Sequence, residues 1–272
     1  MILIYDYFLK DLPLLGIIFF CGIFTLFLTG LGSTGVFFFQ SINPKFFSLS
    51  LGFAGGIMIA ASIWSLLIPA LEISKSFYTF PFIPILIGFT LGLGLLRLLD
   101  MIIPHLHLGS NAMEQEGLTI HLKKVVLIYL AITLHNIPEG IAIGVSLGGS
   151  SENIDFLFSG LNLALGIGIQ NIPEGMALAF ALRQSGLSRV NSFLLSFFSA
   201  VVEPIFAVLG GLTFYISNLL LPYFLSLAAG AMIFVTIEEL LPEAQNFGNS
   251  DLASMGFGSG FLMMMILDTY FS

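Results

Sequence analysis

The chain has a single cysteine, Cys21, and only eight lysines and arginines in 272 residues. One thiol excludes an internal disulfide and any cysteine-cluster metal site. Cys21 reads as a small apolar residue in the first hydrophobic run. No basic tract or basic amphipathic stretch is present and the formal charge is −8, so nucleic acid is excluded as a partner. Charged residues make up 9% of the chain, far below the roughly 25% of a soluble domain. What fills the sequence is apolar: 57% hydrophobic residues and a mean hydropathy of +1.03. Apolar runs of about 20 residues, the length that spans a bilayer, occupy almost all of it. The expected fold is an all-α integral membrane protein surrounded by lipid, with residues 1–272 forming one polytopic domain. The N-terminus lacks a basic region and a small-residue cleavage site, so the first run is expected to be retained as a helix.

Hydropathy predicts eight membrane-spanning helices, roughly 13–40, 49–73, 81–103, 123–148, 157–182, 189–213, 217–243 and 252–271. Short polar connections separate them, and the longest covers about 104–122. An even number of spans puts both termini on one side. Basic residues collect on the cytoplasmic face of a membrane. With the termini outside, Lys45, Lys123, Lys124, Arg183, Arg189 and the nearby Arg97 fall in the cytoplasm, against Lys10 and Lys75 outside. Both termini are therefore expected to be extracytoplasmic, in a cell (inner or plasma) membrane.

Two internal echoes stand out. Ile137–Val145 reads IPEGIAIGV in helix four and Ile172–Phe180 reads IPEGMALAF in helix five. Helices two and seven share a second trend, Gly55-Gly56-Ile57-Met58 leading to Pro69 and Gly230-Ala231-Met232 leading to Pro242. These two helices run in opposite directions, which suggests an inverted repeat. Gly55-Gly56 and Gly258–Gly260 are small enough to allow close helix approach.

The pentapeptide NIPEG occurs at Asn136–Gly140 and again at Asn171–Gly175. Residues four apart share a helix face, so His135 stacks on Glu139 with Asn136 beside them, and Gln170 stacks on Glu174 with Asn171 beside them. Pro138 and Pro173 cannot donate to the preceding turn, so each frees a carbonyl oxygen and bends its helix. Helix six adds Glu203-Pro204, a third carboxylate followed by a third proline. No lysine or arginine lies between Val125 and Leu182, and none follows Arg189. Carboxylates without a basic partner in a low-dielectric interior must take up a proton or bind a cation. Imidazole and amide groups around them form a nitrogen–oxygen set suited to zinc, iron or manganese.

HNIPEG, QNIPEG one helix later, and VEP in the next helix resemble the ZIP (Zrt/Irt-like) family of divalent metal transporters, and look most like its prokaryotic GufA-like branch. Ala54–Glu72 and Ala228–Ala244 resemble that family's second and seventh helices, so nearly the whole chain is covered. The resemblance implies a binuclear site between helices four, five and six. His135, Glu139, Gln170 and Glu174 would surround the main metal, with Met58 close by. Asn136, Asn171, Glu174 and Glu203 would surround a second metal, with Glu174 bridging. Relatives often carry His in place of Gln170 and an acid in place of Asn171, and both departures bear on whether a second metal is held. The resemblance further implies zinc as cargo, with Fe2+, Mn2+ or Cd2+ as other candidates. It also implies import to the cytoplasm, homodimers, and alternating access in which helices one, four, five and six move against two, three, seven and eight.

Secondary candidates lie at the cytoplasmic side. Glu238 and Glu239, with Glu243 beyond Pro242, form an acidic group that could receive released metal or simply sit in the interface. His105 and His107 form an H-x-H pair in the long loop, with His121 nearby, and could chelate zinc there. Asp100 is expected to pair with Arg97, and Asp268 to be interfacial. Two alternatives to a metal transporter remain. An intramembrane metalloenzyme would need a motif such as H-E-x-x-H on one helix, which the chain lacks. A proton channel or metal-gated receptor would show currents or partner binding without metal flux.

Overall fold

The computed structural model describes residues 12–41, 43–104, 124–149, 154–213, 217–246 and 248–271. Among them are eight helices long and apolar enough to cross a membrane, which makes the chain a multi-pass membrane protein. They are α1 (Leu14–Phe38), α2 (Pro44–Phe77), α3 (Phe82–Ile102), α4 (Val125–Gly148), α5 (Leu157–Gln184), α6 (Arg189–Leu212), α7 (Leu221–Gln245) and α8 (Ser250–Tyr270). Local chemistry sets several ends. Asn43 caps α2 by accepting from the Lys45 amide at 2.9 Å, with Pro44 pre-set for the first turn. Ser188 caps α6 by accepting from the Asn191 amide at 3.2 Å. Buried apolar residues from all eight helices form one contiguous cluster that takes in Cys21. Phenylalanines such as Phe27, Phe38 and Phe82 point outward, as a lipid-facing surface requires.

The main helix pairings are α2 with α8, α4 with α6, α3 with α7, and α1 with α5. Exchange α1 with α6, α2 with α7, α3 with α8 and α4 with α5, and this set is unchanged. The weaker α2–α5 contact maps onto α4–α7 in the same way. Every exchanged pair runs in opposite directions, so the packing has the inverted-repeat organisation that the sequence echoes suggest. Glycines bring the paired backbones together. A Cβ on Gly56 would collide with the Phe257 carbonyl of α8, and one on Gly260 with the Phe53 carbonyl of α2. Gly258, expected to serve the same purpose, instead faces open space.

The prolines act in three different ways. Helices α4 and α5 run on through Pro138 and Pro173. In α6 the helix breaks, with Arg189–Ser199 and Val202–Leu212 separated by Ala200 and Val201. Pro204 offers no N–H to the Ala200 carbonyl, which accepts instead from the Glu203 amide at 3.0 Å in a tighter turn. The sixth span is thus built of two half-helices, with Glu203 in the first turn of the second. In α2 and α7 the turn before the proline widens into π-helix, over Ser62–Leu67 ahead of Pro69 and over Thr236–Leu240 ahead of Pro242. The two widened segments match in detail. Ser62 donates to the Met58 carbonyl and Thr236 to the Met232 carbonyl, each at 2.8 Å.

Candidate metal site

The two NIPEG segments meet. His135, Asn136 and Glu139 of α4, Gln170, Asn171 and Glu174 of α5, and Glu203 of α6 are each at most 5% exposed. The glycine ending each motif sets the helix spacing. A Cβ on Gly140 would stand 2.6 Å from the Glu203 carbonyl oxygen, and one on Gly175 would collide with the Thr29 carbonyl of α1. Gly140 thus seats α4 against the first turn of the second half of α6, where the third carboxylate lies. Gly175 seats α5 against α1, and its own carbonyl accepts from Ser196 Oγ at 2.8 Å.

A directional chain of hydrogen bonds joins the polar groups. Gln170 Nε2 donates to Glu139 Oε1 at 2.6 Å and to Asn171 Oδ1 at 3.0 Å. Asn171 Nδ2 donates to both oxygens of Glu203, at 2.9 and 3.0 Å. Three buried oxygens in the cluster accept nothing: Glu139 Oε2, Gln170 Oε1 and Glu174 Oε2. Glu174 lies within electrostatic range of the carboxylates of Glu139, Glu203, Glu239 and Glu243. Carboxyl groups are thereby concentrated inside the bundle. The basic side chain of α3 is spent elsewhere, since Arg97 pairs with Asp100 at 2.7 Å as expected. Among the described residues, no three His, Cys, Asp or Glu side chains converge closely enough to ligate one ion by themselves. The Gln170 amide oxygen lies among these carboxylates as a further possible ligand.

Two residues sit elsewhere than the sequence suggested. Glu239 is expected with Glu238 and Glu243 in an acidic group that either receives released metal or sits solvated in the interface. Glu238 is exposed, but Glu239 is buried, and its Oε2 lies 2.5 Å from His135 Nε2. The widened turn of α7 brings it inward, and Glu243, one turn further along, is buried too. Asp268 is not interfacial but 2% exposed, and accepts from Ser65 Oγ at 2.8 and 2.9 Å. Asn162 of α5 donates to the neighbouring Leu267 carbonyl at 3.3 Å, while its buried Oδ1 accepts nothing. Sequence reasoning passed over Ser65 and Asn162 entirely. Asn162 is two turns before Gln170 on the same helix, and a buried amide at that depth was the available clue. Met58 is fully buried in α2, and its thioether meets the Thr236 hydroxyl of α7 at 3.5 Å. His105, His107 and His121 lie outside the described residues.

A model of the ZIP zinc transporter family matches residues 105–268, more than half of the chain. The chain belongs to the ZIP family. The zinc transporter ZIP11 of Homo sapiens is 34% identical, over 90% of this chain and 94% of its own length. The zinc transporter GufA of Myxococcus xanthus is 36% identical, over 88% and 93% respectively. The zinc transporter ZIPB of Bordetella bronchiseptica is 38% identical, over 89% of this chain and 77% of its own length. These relatives are transporters and not enzymes, so the intramembrane metalloenzyme reading falls away.

Proposed function

We propose that this ZIP-family chain carries a divalent transition metal, zinc foremost, across a cell membrane toward the cytoplasm. The metal is held by Glu139, Gln170 and Glu174, with His135 completing the set once it leaves Glu239. The observation that carries this reading is the trio of unpartnered buried oxygens on Glu139, Gln170 and Glu174. A buried acceptor without a donor costs about 1–3 kcal/mol, and more if it is charged. No lysine or arginine stands in α4, α5 before Arg183, or α6 after Arg189 to offset that cost. A divalent cation offsets it at three oxygens together. Imidazole, carboxylate and amide suit zinc, and Fe2+, Mn2+ and Cd2+ compete for the same donors.

Alternating access fits the packing. The four most extensive helix pairings fall within one of two sets, α1, α4, α5 and α6 or α2, α3, α7 and α8. His135–Glu239 crosses between the sets and closes the path on the α7 side. Metal passes from the cluster to Glu239 and Glu243 when the sets shift. The excess of Lys and Arg beside the loops after α1, α3 and α5 supports an exit in the cytoplasm and both termini outside. The working unit is a homodimer, on the family resemblance.

Zinc uptake into proteoliposomes tests the assignment. E139Q and E174Q should each lower uptake at least a hundredfold while the protein still inserts and folds. Undiminished zinc, iron and manganese uptake in both variants would refute it. Proton currents without metal flux would favour a proton channel instead.

A further inference from the structure

The unpartnered oxygens are not spread evenly over the cluster. Glu139, Gln170 and Glu174 each keep one. Glu203 keeps none, because the Asn171 amide donates to both of its oxygens. Asn171 accepts Gln170 Nε2 on its one acceptor oxygen, while its Nδ2 faces Glu203. An asparagine can ligate a metal only through that oxygen. Turning the amide round to free it would break three hydrogen bonds and aim Oδ1 at a carboxylate. The Asn171 amide thus turns its N–H face, not its oxygen, toward Glu203, and a cation beside Glu203 would have to displace that donor.

The same bonds give Glu203 another task. Glu203 fixes which way the Asn171 amide points, and Asn171 in turn fixes Gln170. With Nε2 drawn toward Glu139 Oε1 and Asn171 Oδ1, the Gln170 oxygen is left as the group without a partner. A chain from Glu203 through Asn171 thereby orients a ligand oxygen on α5.

We infer that this protein binds one metal ion at a time in its core, with Glu203 acting through Asn171 as a positioning residue and not as a ligand. This rests on the metal-carrier reading above and deepens it: the Asn171–Glu203 bond stands where a second cation would otherwise be drawn. Asn171 decides the number of ions, because an aspartate there would offer two acceptor oxygens and no donor, leaving Glu203 bare.

Metal stoichiometry in the full-length protein tests this. Purified H105A/H107A/H121A protein, with the loop histidines removed, is titrated with Zn2+ by calorimetry and its bound metal counted by elemental analysis. One ion per chain is expected. E203Q, which still offers Asn171 an acceptor, should keep one ion with affinity changed by less than about threefold. E203L, which offers none, should weaken it at least tenfold. N171D should bind two ions, and N171D/E203Q one again. Two ions in the parent with one lost in E203Q would overturn the inference, as would N171D remaining at one. If N171D does not fold, the ion count of the parent and of E203Q still decides, since a ligand role for Glu203 at a second site predicts two ions in the parent and one in E203Q. A parent that binds no zinc at all would instead remove the carrier reading itself, a result distinct from binding two.

Discussion

His135 Nε2 of α4 lies 2.5 Å from Glu239 Oε2 of α7, joining one NIPEG motif to a helix 104 residues further along the chain. Both groups are buried, so the contact is screened little by solvent. It places a carboxylate against one of the two imidazole nitrogens through which His135 could take a metal. In the carrier reading proposed above, a metal that takes His135 through this nitrogen displaces Glu239, and that exchange would link binding to movement.

Removing that contact should slow transport without emptying the site. E239Q, which takes the carboxylate from that contact, is expected to lower the maximal rate of zinc uptake about tenfold, or ~1.4 kcal/mol in the barrier. Zinc affinity in the purified protein should hold or rise. E238Q, at the exposed neighbour, should leave both unchanged. Radioactive zinc uptake and equilibrium binding on the same preparations check this, and a loss of binding in E239Q would count against it.

The glycine of the second motif should be irreplaceable for packing. Gly175→Ala drives a methyl group into the Thr29 carbonyl and pushes α5 from α1. A destabilisation of about 1–3 kcal/mol follows, seen as a lower midpoint of thermal unfolding in detergent. Gly258→Ala meets no atom within 4 Å and should be neutral or slightly stabilising, since alanine is the better helix former.

Asp268 should behave as a buried group of α8. Ser65→Ala removes the hydroxyl that donates to both of its oxygens, and should cost about 1–3 kcal/mol of stability. Ser65→Thr, which keeps the hydroxyl, should cost less. Equal unfolding midpoints for wild type and Ser65→Ala would contradict the buried assignment.

Much of this was legible in the chain, and the parts that were not share a cause. The spans follow from hydropathy, because lipid demands long apolar helices. His135, Glu139, Gln170, Glu174 and Glu203 could be found because a carboxylate beside a proline in an apolar run has few structural uses. The solvated reading of Glu239 fails because its burial depends on the widened turn at Thr236–Leu240 and on α4 across the bundle, and no short pattern encodes either. Asp268 was misplaced because nearness to the end of a chain says little about depth. The break in α6 could have been foreseen from Pro204 only by knowing that the Ala200 carbonyl would find the Glu203 amide. Hydrogen bonds such as Asn171 to Glu203 depend on side-chain orientation, which spacing alone leaves open.

The most direct measurement is anomalous diffraction at the zinc edge from crystals of the protein in saturating zinc. The account predicts a single core peak within about 2.0–2.2 Å of Glu139 Oε2, Gln170 Oε1 and Glu174 Oε2, with Asn171 still bonded to Glu203. A core without any peak, its side chains tied to one another as before, would contradict it.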